Sequence, residues 1–239
     1  MFITVELRNF VKTAAATLAV FAIIAVAAHI TLPHYDAVSA NSAMRAYTLV
    51  VDPGHGGMDG GAVSADGKKE SDINLSIALK MAALSDFLGI DCVLTRDTDS
   101  DNSDTGSYSE HDSLVSRAEL ANSIENSLLI SIHQNKFPNE LVSGAEIMYA
   151  DTVGSRELGL IVQDNMVSIL DPENRRVARP APSELLLTSS VKCPAILAEC
   201  GFMSNPDELQ RLSTSEYQLK IALVMMGSFI QFSSQQLPA

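Results

Sequence analysis

The chain has 239 residues, of which 46% are hydrophobic and 19% are charged, so it can build a substantial core and is too hydrophobic to be disordered. Its 29 acidic residues outnumber its 16 basic ones and give a net charge of −13, which disfavours binding to nucleic acid. The 3 cysteines are too few and too far apart for a disulfide framework or a Cys-x-x-Cys metal site.

The amino-terminal region contains an apolar segment of the length that spans a membrane. Residues Thr13 to Leu32 include no charged side chain, and about 20 apolar residues at about 1.5 Å each cross the hydrocarbon core of a bilayer. Because Arg8 and Lys12 precede this segment, the positive-inside rule exports the rest of the chain. The small residues at Val38–Ala40 are typical of a cleavage site, so a cleaved signal peptide is an alternative. The length of the apolar run favours a retained anchor.

From residue 47 onward, segments with strand and helix character alternate. Runs of β-branched and apolar residues that stop at turn residues indicate strands, and apolar residues three and four positions apart indicate helices. In chain order these are strand 47–51, helix 71–88, strand 90–94, helix 113–125, strand 127–132, strand 145–149, helix 156–169, a short strand 185–187, strand 195–198 and helix 215–232. The last helix is apolar almost all round, which predicts that it packs in the interior.

Two polar stretches between these elements predict surface loops. The first is residues 97–112, which are rich in Asp, Ser, Thr and Gly. The second is residues 172–182, which carry Arg175, Arg176 and Arg179. We interpret this arginine cluster as a solvated loop, with contact to the carboxylates of a peptide as the alternative.

The alternation of strands and helices predicts an α/β layer fold with a mostly parallel central sheet. We expect residues 1–32 to be a membrane anchor or signal peptide, residues 33–46 to be a linker, and residues 47–239 to form a single domain outside the cytoplasmic membrane. The function must therefore be sought at the carboxyl ends of the strands, where ligands of open α/β sheets bind.

Two histidines and two glutamates are expected to meet at that edge of the sheet. His55 follows the first strand, His133 ends the third, and Glu199 follows the last buried strand. Glu70 lies beside the start of the first helix. Two imidazoles and a carboxylate with an open fourth position form a common catalytic zinc set, and a second glutamate is then free to act as a base.

Each of these residues also has an ordinary structural interpretation. A lone histidine after a strand is more often a packing residue than a metal ligand, and Glu70 by itself would be an acid that compensates the helix dipole. Glu199 is the most informative, because an unpaired carboxylate at the inner end of a central strand is costly. Asp52 and Asn135 flank the histidines, as partners that orient them or as caps of turns.

Four parts of the chain, in their order and spacing, match a known family. They read VVDPGHGGMDGGAV, KKESDINLSIAL, SRAELAN followed by SLLISIHQN, and PAILAECGFMSNPDE. Together they resemble the zinc-dependent N-acetylmuramoyl-L-alanine amidases of the Amidase_3 type, over about Tyr47 to Phe232.

This resemblance implies a single three-layer α/β domain, with helices on both faces of a central mixed sheet. It implies one zinc ion per chain, bound by His55, Glu70 and His133, and it makes Glu199 the catalytic glutamate. The implied reaction is hydrolysis of the amide between the lactyl group of N-acetylmuramic acid and L-alanine in peptidoglycan. In that reaction the glutamate and the zinc ion activate water, and the glutamate then protonates the leaving nitrogen.

The chain also departs from the family pattern. Many relatives carry an arginine before the last strand, where this sequence reads LLLTSSVKCP, so contacts with the substrate are expected to differ there. With one apolar segment, one catalytic domain and no wall-binding repeat, the chain resembles the spore-cortex, germination-specific members. In those, removal of the stem peptide allows muramic-δ-lactam to form. The expected partners are peptidoglycan, the membrane and an activating protein.

Two alternatives remain open from the sequence. A zinc peptidase or deacetylase would apply the same metal chemistry to another amide, and only the products would distinguish it. A catalytically silent wall-binding protein is the second alternative, and the presence of both the histidine–glutamate set and the candidate base argues against it.

Overall fold

A six-stranded sheet forms the centre of the protein, which a computed structural model describes over residues 47–101 and 109–236. In chain order the elements are β1 (Thr48–Pro53), α1 (Glu70–Leu88), β2 (Cys92–Leu94), α2 (Glu110–Ser123), β3 (Ser127–Asn135), β4 (Glu146–Tyr149), α3 (Ser155–Asn165), β5 (Arg179–Pro180), α4 (Leu186–Ser190), β6 (Ala195–Phe202), α5 (Pro206–Leu212) and α6 (Ser215–Gln235). A π-helical turn, Met166–Leu170, continues α3.

The predicted membrane segment and linker, residues 1–46, lie outside the described residues. Within the described ranges, no helix combines the length and the hydropathy needed to cross a bilayer.

The sheet is mixed rather than parallel throughout. Its strand order is β2-β1-β3-β6-β4-β5, and the first four of these strands are parallel neighbours. Strand β4 pairs antiparallel with β6, and β5 follows the direction of β4. The segment between β3 and β4 contains no helix, so β4 lacks the helical crossover that usually precedes a parallel strand. Four of the five strand pairings are parallel, so the expected mostly parallel sheet is confirmed, with the pairing of β4 and β6 as the exception.

Alternate side chains of the strands enter two cores, one on each face of the sheet. Leu49 and Val51 of β1 belong to the larger core, which α1, α3 and α6 cover. Val50, between them, belongs to the smaller core, together with residues of α2 and α4. This is the three-layer arrangement expected from the sequence, and it leaves the carboxyl ends of β1, β3 and β6 at one edge.

Helix α6 covers the sheet instead of being enclosed by the protein. It packs against α1 and α3 on its inner side, whereas Leu219 and Leu223 on its outer side are exposed. The prediction of an interior helix was therefore wrong, because an apolar composition on every side does not require burial on every side.

Three local predictions differ from the structure. Residues 185–187 were predicted as a strand, but Leu186 begins the short helix α4, and the additional strand, β5, lies within the predicted arginine loop. Helix α2 begins inside the predicted polar loop, where the side chain of Ser109 accepts a hydrogen bond from the backbone of Asp112. Helix α5 was not predicted, although Asn205 and Pro206 form a common helix start.

Replacement of Phe229 by alanine tests the packing of α6 on the domain. Phe229 is 0% exposed, and its removal is expected to lower the free energy of unfolding by about 3–5 kcal/mol in urea titrations of the purified protein. Phe87→Ala is the matched control, because Phe87 is 85% exposed on α1, and it should change stability by less than about 0.5 kcal/mol. Equal losses in both variants would contradict the described packing.

Candidate active site

His55 lies in the loop after β1 in a backbone conformation that favours glycine. Its φ angle is 61°, which is uncommon for a residue with a side chain and is often found at functional sites. The residue before it, Gly54, passes directly beside His133, because a Cβ atom on Gly54 would lie 2.2 Å from Cε1 of that imidazole. The glycine-rich loop thus lets the two histidines come close together.

Glu70, the first residue of α1, is buried between the two imidazoles. Its Oε1 atom lies 3.0 Å from Nδ1 of His133 and 3.3 Å from Nε2 of His55. The same oxygen accepts a hydrogen bond from the backbone N–H of Gln134 at 3.0 Å, and Oε2 accepts one from that of Ala62 at 2.9 Å. Three of the predicted site residues are therefore brought together, because both imidazoles contact the same carboxylate oxygen of Glu70.

These three residues fit a divalent metal ion. One potential ligand atom from each of His55, Glu70 and His133 lies within 4.8 Å of the others. Two imidazole nitrogens and a carboxylate oxygen are the donors of many catalytic zinc sites. In addition, Nδ1 of His55 lies 2.7 Å from Oδ2 of Asp59, a carboxylate–histidine pair of the kind that orients metal ligands.

The close approach of the charged groups shifts the pKa values of His55 and Glu70. Burial lowers the pKa of His55, but hydrogen bonds and charges of Glu70 and Asp59 outweigh that effect and raise the pKa to about 9. Burial also opposes ionisation of Glu70, yet His133 and His55 hold its pKa well below the usual range. The carboxylate of Glu70 is therefore ionised, as a metal ligand must be.

Glu199 lies beside the cluster on the neighbouring strand. It is the register partner of His133 in the parallel pairing of β3 with β6. Its Oε2 atom is buried and has no hydrogen-bond partner in the described part of the chain. Burial raises the pKa of Glu199 to about 7, so this carboxyl group can gain or lose a proton near neutral pH.

Asp52 is connected to the loop that carries His55 through Arg117. The buried carboxylate of Asp52 accepts hydrogen bonds from Ser131 and Thr95, both at 2.6 Å, and its Oδ1 lies 3.7 Å from Nε of Arg117. Arg117 in turn donates through Nη2 to the carbonyl of His55 at 3.2 Å. Asp52 is thus connected through an arginine to the backbone of His55, and its role as a partner that orients an imidazole stays a prediction.

Asn135, the other proposed partner, has a different role. Its side chain accepts a hydrogen bond from the backbone N–H of Lys136 at 2.8 Å, at the end of β3.

Besides Arg117, sequence reasoning missed two further buried residues that bond to the site. Asn74, one turn after Glu70 on α1, donates to the carbonyl of Gly54 and to Oε1 of Glu70. Arg96 lies two residues after β2 and donates to the carbonyl groups of Pro53 and Gly54. Arg96 follows a strand at the same edge of the sheet, so the rule that found the histidines could have found it.

Two of the three arginines of the predicted solvated loop are not simply solvated. Arg176 and Arg179 lie 3.4 Å and 3.2 Å from the carboxylate of Glu146, the register partner of Glu199 on β4. Arg175 forms an exposed ion pair with Glu173 and donates a hydrogen bond to the carbonyl of Pro172, as expected of a surface residue.

A cavity of about 250 Å³ opens beside the histidines and Glu199. Its lining contains both polar and apolar side chains. Its polar residues are His55, Asp59, Glu110, Ser113, Arg117, His133 and Glu199, and its apolar residues are Leu114, Met148, Leu185, Leu186, Leu187 and Leu197.

Comparisons with known proteins agree on one family. Residues 49–227 match the family Amidase_3, described as N-acetylmuramoyl-L-alanine amidase. A germination-specific N-acetylmuramoyl-L-alanine amidase of Bacillus subtilis is 32% identical over 194 residues, which cover 79% of this chain and 80% of the relative.

Solved structures give the same result. The CwlD amidase of Clostridioides difficile, in complex with the GerS lipoprotein, is similar with a TM-score of 0.74 and 32% identity, over 80% of this chain and 100% of that chain. The amidase AmiC2 of Nostoc punctiforme has a TM-score of 0.67 and 31% identity, over 78% of this chain and 97% of that chain.

Substitution of Gly54 by alanine tests the packing of the site. The added Cβ would overlap the imidazole of His133, so we expect zinc affinity to fall about 10- to 100-fold while the fold is kept. Zinc affinity is measured by competition with a chromogenic chelator, and the fold by circular dichroism.

Gly227→Ala on α6 is the matched control, because nothing lies within 4 Å of a Cβ at that position. It should leave zinc affinity unchanged. Unchanged zinc affinity in Gly54→Ala would mean that His133 is not held where the structure places it.

Proposed function

The chain belongs to the Amidase_3 family of N-acetylmuramoyl-L-alanine amidases, and from this membership we propose that it uses a zinc ion to hydrolyse peptidoglycan. The bond cleaved is the amide between the lactyl group of N-acetylmuramic acid and L-alanine. The observation that carries the proposal is the convergence of His55, Glu70 and His133 beside Glu199, whose buried oxygen lacks a protein partner among the described residues.

In this proposal each residue has a distinct role. His55, Glu70 and His133 hold the zinc ion, which when bound supplies Lewis acidity to the amide carbonyl and to water. Glu199 takes a proton from the attacking water, because its free oxygen is in the same cavity as the two histidines. A carbon–oxygen bond forms, the carbon–nitrogen bond of the amide breaks, and Glu199 passes its proton to the departing alanine nitrogen.

The variant Glu199→Gln separates the base from the metal site. It keeps the three ligands but cannot accept the proton, so we expect zinc content to be unchanged and kcat to fall about 10²- to 10⁴-fold. Glu173→Gln, at an exposed loop position, is the matched control and should behave like the wild type. Near-native turnover of Glu199→Gln would mean that the base is assigned wrongly.

The products identify the reaction. Digestion of defined muropeptides should give a free lactyl carboxyl group and a peptide with amino-terminal L-alanine, as detected by mass spectrometry. A new amine on the sugar would indicate a deacetylase, and peptides cut between their residues would indicate a peptidase.

Removal of the metal is expected to abolish hydrolysis. The purified protein should contain about one zinc ion per chain by elemental analysis, because the cluster offers one set of three ligands. Activity should be lost after dialysis against a chelator and should return on addition of equimolar zinc. Full activity in protein shown to be metal-free would contradict the proposal.

The cellular setting is a further part of the proposal. Residues 1–32 direct export of the domain, as an anchor or signal peptide, and residues 33–46 connect that segment to the domain. The names of the similar proteins, a germination-specific amidase and an amidase in complex with a lipoprotein, support action on spore cortex and an activating protein partner. Cortex from a strain without this protein should then lack muramic-δ-lactam, and amino-terminal sequencing would show whether the leader is cleaved.

A further inference from the structure

Asn74 is a fully buried polar residue on α1, one turn after Glu70. The residues that share its side of the helix, Ile77, Ala78 and Met81, belong to the larger core. Asparagine is a weak helix former, and a buried amide group costs free energy unless its polar atoms have hydrogen-bond partners. An apolar side chain would therefore suit this position better for stability alone, so the partners of the amide group indicate what Asn74 does.

The amide group of Asn74 contacts each of the three chain segments that carry a proposed metal ligand. Its Nδ2 donates hydrogen bonds to the carbonyl of Gly54 at 3.1 Å and to Oε1 of Glu70 at 3.3 Å. Its Oδ1 accepts one from Nε2 of Gln134 at 3.1 Å. Gly54 directly precedes the first histidine ligand, and Gln134 directly follows the second. Both hydrogens of the amide nitrogen and the amide oxygen are thus used, each on a different segment.

The bond to Gly54 acts on the backbone of His55. A carbonyl group and the N–H of the next residue lie in one rigid peptide plane, so a fixed Gly54 carbonyl fixes the start of His55. The φ angle of His55 is 61°, a conformation that persists in a residue with a side chain only where neighbouring groups hold it. Arg96 donates to the same carbonyl at 3.1 Å, so two buried side chains fix this peptide plane.

The bonds to Glu70 and Gln134 act on the other two ligands. The backbone N–H of Gln134 lies in the peptide plane that begins at the carbonyl of His133, and it donates to Oε1 of Glu70 at 3.0 Å. Gln134 therefore bonds to Glu70 through its backbone and to Asn74 through its side chain. Because Asn74 also bonds to Glu70, these three residues form a closed ring of hydrogen bonds. The ring fixes the carboxylate relative to the end of β3.

We propose that Asn74 is a positioning residue of the metal site. Through its three hydrogen bonds it keeps His55, Glu70 and His133 in the arrangement that a zinc ion requires, although it is neither a ligand nor a residue that touches substrate. Ligands that are held in place beforehand lose less freedom when the ion binds, so this raises the affinity for zinc. The inference rests on the proposed function, because it concerns the zinc ion which that function uses.

Asn74→Leu removes the three hydrogen bonds and nearly keeps the volume of the side chain. We expect zinc affinity, measured by competition with a chromogenic chelator, to fall about 10- to 100-fold while circular dichroism shows that the fold is kept. Asn174→Leu is the matched control. Asn174 is also buried, but its amide group bonds to the backbone of Ala145 and Arg176, and neither is next to a proposed ligand. This control should lose stability but keep wild-type zinc affinity.

Replacement of zinc by cobalt(II) gives a readout that a general loss of stability does not move. The visible absorption of cobalt(II) depends on the arrangement of its ligands. The spectrum of the cobalt-loaded Asn74→Leu protein should therefore differ from that of the wild type in band position or intensity. The spectrum of cobalt-loaded Asn174→Leu should match that of the wild type.

Asn74→Asp is the second variant, and it separates the donated bonds from the accepted one. It keeps an oxygen for the side chain of Gln134 but loses both N–H donors, and it places an acceptor opposite the carbonyl of Gly54 and the carboxylate of Glu70. Zinc affinity should fall at least as far as in Asn74→Leu. If neither variant folds even in excess zinc, Asn74 serves the folding of the whole domain and the proposal is overturned.

The outcomes separate this inference from the proposed function. If the wild type binds zinc and Asn74→Leu binds it equally well, or loses no more affinity than Asn174→Leu, the positioning role is overturned and the proposed function stands. An unchanged cobalt spectrum in Asn74→Leu would also overturn the role. If the wild type itself binds no zinc, the proposed function fails.

Discussion

The site depends on one carboxylate that is shared by two imidazoles. Glu70 is the first residue of α1, where the positive end of the helix dipole favours a negative charge. Its oxygens accept hydrogen bonds from the backbone of Gln134 and Ala62, which offsets the cost of burial. Through these contacts a single side chain joins the loop after β1, the end of β3 and the start of α1. A glutamate without these contacts would have no reason to remain ionised in a buried position.

The sequence was sufficient to predict the members of this cluster, for a simple geometric reason. The carboxyl ends of parallel strands meet at one edge, so His55, His133 and Glu199 come together once their strands are recognised. The reversed direction of β4 was not predictable in the same way, because strand pairing depends on contacts far apart in the chain. Residues 185–187 were misread because three consecutive leucines have neither a strand nor a helix period.

The sequence could place Arg96 at this edge of the sheet, but it could not reveal which polar residues would be buried there. Arg96 and Arg117 are charged residues that usually remain solvated, and their burial arises only when the loops after the strands fold over them. There they bond to backbone carbonyl groups, those of Gly54 and His55 among them, and so stabilise the loop that carries the histidine. The roles of these arginines follow from tertiary structure, whereas the roles proposed for the histidines and glutamates follow from residue type and position.

The antiparallel direction of β4 brings its first residue, not its last, to the edge where the cluster lies. Glu146 therefore faces Glu199 across the strand pair, and its negative charge adds a small part to the effect of burial, which is the main cause of the raised pKa of Glu199. Arg176 and Arg179, which neutralise Glu146, come from a surface segment outside the metal cluster. Changes at these two arginines would therefore alter the charge balance at Glu146, next to Glu199, without altering His55, Glu70 or His133.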